Sequence, residues 1–146
     1  MKILVLQGPN LNMLGKRKTN HYGAVTLEEI HERMAEKASA LGCTLAFCQS
    51  NYEGDLVGKI HELREEVDGL IVNPAGLTGV GYSLRDAIED SGLPTIEVHL
   101  SNIHAREEFR RHSCISAVAT GQIAGLKWRG YIAALEILKE ILEDEK

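Results

Sequence analysis

The feature that most constrains the fold of this chain is a regular alternation of short apolar runs with amphipathic segments. Apolar runs predict strands over residues 3–6, 44–48, 69–72 and 95–100, and a fifth strand is expected within residues 115–123. Helical spacing of apolar residues predicts helices over residues 26–41, 55–67, 83–91 and 129–142, and residues 105–111 predict a short basic helix. Such alternation indicates right-handed βαβ units. We therefore predict an α/β, flavodoxin-like three-layer sandwich, with five parallel strands in the order 2-1-3-4-5 and helices on both faces.

Length and composition narrow the class of protein further. The 146 residues suit one domain spanning residues 1–146, and 44% of them are apolar and 25% charged. The net charge of -5 argues against nucleic acid as a partner, because a nucleic-acid binder carries a basic footprint. The first residues, MKILVLQG, contain only four consecutive apolar residues, so we expect neither a secretion signal nor a membrane anchor.

The cysteines point to a reducing compartment. Cys43, Cys48 and Cys114 are odd in number and show no CxxC spacing. A disulfide framework or a zinc site is therefore not expected, and a cytoplasmic location fits. No two histidines have the spacing of a metal site with an acidic partner, and we therefore expect no metal. The histidines outside strand four are His21, His31, His61, His104 and His112. We interpret them as surface or packed residues, with a polar outer helix face explaining His31 and His61.

Polar side chains follow the carboxyl ends of three predicted strands. Ligands of open α/β sheets bind in the crevice outside those ends, so we expect the three loops to converge on one site. They carry Asn12, Arg17 and Tyr22 after the first strand, Asn73 and Thr78 after the third, and His99, Ser101 and Asn102 after the fourth. The first βα turn, QGPNLNMLG, lacks the GxGxxG spacing of a dinucleotide site, and we expect no nucleotide or flavin cofactor.

The loop after the fourth strand suggests an acid–base group beside an anion clamp. An imidazole is a common acid–base group in proteins, and three arginines follow that of His99: Arg106, Arg110 and Arg111. The alternative is a plain strand end followed by a solvated basic helix. Glu97 lies close to His99 in sequence, but we expect the strand to point the two side chains to opposite faces, so that contact would need a bend or bulge.

Arg17 and Tyr22 form the second candidate pair. A tyrosine hydroxyl titrates at about 10, so it is a poor base at neutral pH unless its pKa is lowered. A nearby guanidinium favours the phenolate and lowers that pKa, and the two residues lie on one loop. The alternative is an exposed arginine and a tyrosine that packs its ring.

Several motifs, taken in order, carry a resemblance to a known family. They are GPNLNMLGKR followed by Tyr22-Gly23, then Asn73-Pro74, Leu84-Arg85-Asp86-Ala87, EVHLSNIHAREEFRRHS, and ATGQIAGL with Gly130-Tyr131. The chain resembles the type II 3-dehydroquinate dehydratases, or type II dehydroquinases, along essentially its whole length. The resemblance implies a cofactor-free trans-dehydration of 3-dehydroquinate to 3-dehydroshikimate through an enolate. Such a lyase serves the shikimate pathway of aromatic amino acid biosynthesis or the catabolism of quinate.

The resemblance also implies the chemical roles. Tyr22 is implied to be the base that removes the proton from C2, with Arg17 on the lid loop lowering its pKa. His99 is implied to be the acid that protonates the departing C1 hydroxyl, and Glu97 to orient it. Asn12 is implied to hold the water that stabilises the enolate oxygen.

Binding residues and assembly follow from the same resemblance. Asn73, Arg110 and the backbone N–H groups of Leu100 and Ser101 are implied to bind the small-molecule substrate. Asp86 is implied to reach the site of a neighbouring subunit, in a homododecamer built from trimers.

Two segments depart from the family pattern. Lys18-Thr19 stands where the family usually has Glu-Pro. NPAGLTGVGYSLRDA stands where the family reads NPGAYTHTSVALRDA, so Gly79 replaces a substrate-binding histidine and Val80-Gly81 replaces Thr-Ser. One contact to a ring hydroxyl is thereby lost. Three hypotheses stay open: a dehydroquinase with weakened substrate binding, a non-catalytic paralogue that binds another small anion, and a related lyase for another cyclic hydroxy acid.

Overall fold

The structure, a computed structural model, describes residues 1–16 and 24–145. The strands are β1 Lys2–Gln7, β2 Thr44–Gln49, β3 Gly69–Asn73, β4 Thr95–His99 and β5 Gly121–Ala124. They form one parallel sheet in the order β2-β1-β3-β4-β5, which confirms the predicted topology. Because neighbouring parallel strands end at the same edge, the carboxyl ends of β1, β3 and β4 lie side by side.

Two layers of helices cover the sheet. The helices are α1 Leu27–Ala40, α2 Glu53–Leu63, α3 Tyr82–Ser91 and α4 Arg129–Asp144. Helices α1 and α4 pack on the face that carries Ile3, Val5 and Ile71, whereas α2 and α3 pack on the opposite face. Among the described residues, no helix combines the length and the apolar character that crossing a membrane requires.

The predicted start of α1 is confirmed in atomic detail. Thr26 Oγ1 accepts the Glu29 N–H at 3.2 Å, and the Glu29 carboxylate accepts the Thr26 N–H at 3.0 Å. This reciprocal capping box satisfies two backbone donors that the first turn leaves without partners.

Two of the predicted helices differ from those found. Helix α2 runs over Glu53–Leu63 and so begins and ends earlier than the prediction of residues 55–67. The predicted basic helix over residues 105–111 is wrong: two 3₁₀ turns, Ile103–Ala105 and Glu108–Arg111, stand there. Arg106 is extended between them, and the side chain of Asn102 caps the first turn. So short a helix is marginal without an apolar face to bury.

Candidate active site

A cleft of about 560 Å³ lies at the carboxyl edge of the sheet. Its described walls come from the loops after β1, β3 and β4, which therefore converge as predicted. The predicted site residues that line it are Asn73, His99, Leu100, Ser101 and Arg110, together with Thr78 and Arg106.

His99 contacts Glu97 at the end of β4. Glu97 is fully buried and His99 is 4% exposed, with His99 Nε2 lying 2.6 Å from Glu97 Oε1. The expectation that these side chains point to opposite faces is wrong. Residues two apart in a strand share a face, so the pair meets without a bend or bulge.

Two serine hydroxyls also donate hydrogen bonds to the Glu97 carboxylate, one to each oxygen. Ser113 Oγ donates to Oε1 at 2.7 Å, and Ser116 Oγ donates to Oε2. Ser113 Oγ also accepts the N–H groups of Ile115 and Ser116, each at 3.1 Å, so its own proton goes to the carboxylate. Gln122 Nε2 likewise donates to Ser116 Oγ at 2.8 Å.

These hydrogen bonds keep the Glu97 carboxylate anionic. Burial raises the pKa of Glu97, but the hydrogen bonds from His99, Ser116 and Ser113 outweigh it, so the pKa lies below its ordinary value. An anionic carboxylate accepts only, and His99 Nε2 therefore carries the hydrogen of this contact. Among the described residues, no hydrogen bond is made by the other ring nitrogen, Nδ1.

Ser113 and Ser116 were not predicted as site residues. They lie well beyond the strand that carries Glu97, and no spacing rule links a hydroxyl to a carboxylate 16 or 19 residues away. The available signal for Ser113 was its place at the end of the EVHLSNIHAREEFRRHS motif.

Asn73 ends β3 with both polar atoms engaged. Its Oδ1 accepts the N–H of Ala75 at 3.1 Å, and its Nδ2 donates to the Tyr131 hydroxyl at 3.0 Å. Tyr131, on α4, is fully buried and was not predicted as part of the site. Gln7 Nε2 lies 3.3 Å from the same hydroxyl. Burial raises the pKa of Tyr131 to about 12 despite the hydrogen bonds from Gln7 and Asn73, so the phenol is neutral.

The predicted anion clamp is only partly assembled. Arg106 and Arg110 line the described part of the cleft, and Arg111 does not. Arg106 Nη1 lies 3.4 Å from Ser101 Oγ. Arg110 Nε donates to Glu107, and its guanidinium lies 4.7 Å from the centre of the Phe109 ring. The hydrogen bond from Arg110 holds the pKa of Glu107 below its ordinary value. A substrate carboxylate would have to compete with Glu107 for this arginine.

The remaining predicted site residues lie outside the described walls of the cleft. Asn12 is exposed on the 3₁₀ turn Leu11–Met13 beside the cleft, outside its described walls. Asp86 is exposed on α3 and pairs with Arg85 at 3.0 Å. Arg17 and Tyr22 lie outside the described residues.

His31 differs from its expected place on a polar outer face. Its ring stacks on Phe47 with centroids 4.0 Å apart, and its Nε2 lies 2.6 Å from Gln7 Oε1. Burial lowers the pKa of His31, and Glu28 opposes this only in part. His31 is therefore a packed residue that adjoins the Gln7–Tyr131–Asn73 contacts, whereas His61 is exposed as predicted.

Comparison with known proteins supplies the family. A family model described as dehydroquinase class II matches residues 1–139. The chain belongs to the class II dehydroquinase family. A 3-dehydroquinate dehydratase from Herpetosiphon aurantiacus is 53% identical over 136 residues, covering 93% of this chain and 94% of that protein. One from Pelotomaculum thermopropionicum is 54% identical over 135 residues, covering 92% and 94%. The crystal structure of type II dehydroquinase from Butyrivibrio crossotus superposes with a TM-score of 0.93 at 40% identity, covering 95% of this chain and 97% of that one.

The departure from the dehydroquinase pattern falls on the cleft wall. Gly79 and Val80 both line the cleft, and Val80 is 63% exposed. Neither residue offers a side-chain hydrogen bond to a ligand. Neither Gly79 nor Gly81 has a positive φ, so the backbone conformation itself does not require glycine at either position.

Proposed function

We propose that this chain is a 3-dehydroquinate dehydratase that converts 3-dehydroquinate to 3-dehydroshikimate by trans-dehydration through an enolate. The observation that carries the proposal is the buried His99–Glu97 pair at the wall of the cleft, 2.6 Å apart, in a chain of the dehydroquinase family. A hydro-lyase of this kind must remove a proton next to a carbonyl and protonate a departing hydroxyl.

His99 is the proposed acid. The hydrogen bond between Nε2 and the Glu97 carboxylate holds the ring, so that Nδ1 is the nitrogen that carries the transferable proton. That proton goes to the C1 hydroxyl as it leaves as water. Glu97 is in this view a positioning residue, since it acts through His99.

The base and the enolate contacts are proposed from the family motif. Tyr22 removes the C2 proton as phenolate, and Arg17 lowers the pKa of Tyr22 and helps close the site. Asn12 holds the water that stabilises the enolate oxygen, and its turn contributes Leu11 to the cleft wall.

Substrate binding is proposed for the polar groups of the cleft. Asn73 offers its side-chain amide, and the backbone N–H groups of Leu100 and Ser101 serve the substrate carboxylate. Arg110 adds a positive charge once it exchanges Glu107 for the substrate.

We further propose a cytoplasmic homo-oligomer of one-domain subunits. The three cysteines are free, which supports a reducing compartment. The family resemblance supports a dodecamer built from trimers, in which Asp86 serves a neighbour's site. Light scattering of the purified protein tests the assembly, and a monomer that is fully active at assay concentration would contradict it.

The decisive experiment follows the enone absorbance of the product with purified protein and 3-dehydroquinate. His99→Ala and Tyr22→Phe are each expected to lower kcat by roughly 10²–10⁴-fold, the usual worth of a positioned acid or base. His61→Ala is the matched control, because that histidine is exposed on α2 outside the described cleft walls. Near-normal kcat in His99→Ala, or no product with the unaltered protein, would refute the assignment.

A further inference from the structure

Behind Asn73, on the α1/α4 side of the sheet, lies a chain of four polar side chains. It runs from His31 on α1 through Gln7 at the end of β1 and Tyr131 on α4 to Asn73 at the end of β3. Gln7 and Tyr131 are fully buried, and Asn73 is 3% exposed. The proposed acid–base chemistry uses none of Gln7, Tyr131 and His31.

The contacts of Asn73 define which way its amide points. Because Oδ1 accepts a backbone N–H from Ala75, the other arm of the amide is the NH₂ group, and it faces the Tyr131 hydroxyl. Each arm is thus held by one bond. Since the described residues supply no further partner to this amide, one N–H and one lone pair of Asn73 remain for a ligand in the cleft that it lines.

We propose that Tyr131 is a positioning residue for substrate binding: its hydroxyl holds the Asn73 amide in the orientation that contacts the substrate. The inference rests on the proposed function, since it deepens the role of Asn73 in that site. Tyr131 lies in the core and acts only through Asn73.

The surroundings of the hydroxyl explain why a tyrosine stands here. A buried hydroxyl is costly unless it is hydrogen-bonded, and a phenylalanine would pack the same apolar layer without that cost. The Tyr131 oxygen accepts from both Asn73 and Gln7, which are register partners on adjacent strands. Gln7 is held in turn by His31, so the hydroxyl is fixed from its far side.

The test is a double-mutant cycle between Tyr131 and Asn73. Tyr131→Phe is expected to raise KM for 3-dehydroquinate roughly three- to tenfold, the worth of one hydrogen bond, with kcat changed by less than about twofold. In an Asn73→Ala background the same substitution is expected to leave KM unchanged, because Tyr131 then has nothing to position. If Tyr131→Phe raises KM by the same factor in the unaltered protein and in Asn73→Ala, the proposal is overturned.

A matched control separates positioning from general destabilisation. Leu138→Ala removes another buried side chain of α4, two turns beyond Tyr131, and is expected to lower Tm while leaving KM unchanged. An equal rise of KM in Leu138→Ala would overturn the proposal. Gln7→Met removes the brace of the hydroxyl and is expected to raise KM less than Tyr131→Phe does. Should Tyr131→Phe fail to fold, an unchanged KM in Gln7→Met refutes the idea.

A readout without substrate keeps this inference distinct from the proposed function. The ¹⁵N signal of the Asn73 side-chain amide is expected to show slow hydrogen exchange in the unaltered protein and faster exchange in Tyr131→Phe. Unchanged exchange would refute the positioning role whatever the enzyme's substrate. Absence of dehydratase activity, with the exchange effect present, would refute the proposed function alone.

Discussion

Restoring the missing histidine at Gly79 is the perturbation that tests this particular chain. Gly79 stands on the cleft wall where the dehydroquinase pattern has a substrate-binding histidine. Gly79→His should regain one hydrogen bond to a ring hydroxyl of 3-dehydroquinate. If that bond is equally strong in the ground and transition states, KM falls and kcat stays the same.

The backbone decides whether the side chain fits. A β-carbon on Gly79 would lie 3.2 Å from the carbonyl oxygen of His112 and 3.7 Å from that of Phe109, which is tight but not prohibitive. A β-carbon on Gly81 would lie 2.8 Å from the Leu77 carbonyl oxygen, the acceptor of the Gly81 N–H at 2.7 Å. Gly81 must therefore stay glycine for lack of space, although its φ of -79° suits any residue.

The magnitude follows from one hydrogen bond. Such a bond is worth about 0.5–1.5 kcal/mol, which corresponds to roughly a three- to tenfold change in affinity. The small shift that the His112 carbonyl must make opposes part of this gain. We therefore expect KM for 3-dehydroquinate to fall about threefold in Gly79→His.

Steady-state kinetics by enone absorbance provide the assay, and Gly79→Ala is the matched control. Alanine adds the β-carbon and its crowding without the imidazole, so the difference between the two variants isolates the new hydrogen bond. A well-folded Gly79→His variant whose KM is no lower than that of Gly79→Ala refutes the reasoning. The glycine would then suit a ligand other than 3-dehydroquinate.

Three further predictions concern stability. Ser116→Ala removes a donor to the buried Glu97 carboxylate and should lower the free energy of unfolding in urea by about 1.5–3 kcal/mol, whereas the exposed Ser83→Ala should not. The lowered pKa of Glu97 stabilises the fold above the ordinary carboxyl pKa of about 4.3, and this stability is lost as pH falls through the lower folded-state pKa. Glu97→Gln should therefore weaken the dependence of the free energy of unfolding on pH in the acid range. An unchanged pH dependence contradicts the assignment. Ala75 has a φ of 51°, which is a left-handed conformation that strains any residue with a β-carbon. Ala75→Gly removes this strain and should stabilise the protein by roughly 0.5–1 kcal/mol, after the conformational entropy that glycine loses on folding is subtracted. A loss of stability in this variant would contradict the strain.

The layered fold could be predicted because its signals are local. Apolar runs such as Ile3 to Leu6 must be buried on both faces, and both faces of β1 are covered by helices. The segment after β4 could not be predicted in the same way. The first of its two 3₁₀ turns is capped by the side chain of Asn102, and a local cap of this kind competes with a short helix.

The candidate site likewise contains residues that could be predicted from the sequence and residues that could not. Strand ends brought Asn73 and His99 to one edge, and that follows from topology alone. The partners Ser116 and Tyr131 lie in segments whose approach depends on packing over long sequence separations. The prediction that Glu97 and His99 point to opposite faces was wrong for a different reason. The two-residue period of a strand already places these side chains on the same face.

The two polar networks lie on opposite faces of the sheet. Ile96 and Val98 belong to the α1/α4 layer, so the alternating Glu97 and His99 face the α2/α3 layer, where the segment with Ser116 crosses. Asn73 and Tyr131 belong to the α1/α4 layer instead. Strands β3 and β4 are neighbours, so Asn73, held from one layer, and His99, held from the other, lie at one edge of the sheet. Since the two networks share no hydrogen-bond partner among the described residues, each can be altered without moving the other. Under the proposed function, the residues that support substrate binding and those that support proton transfer therefore belong to different layers of the hydrophobic core.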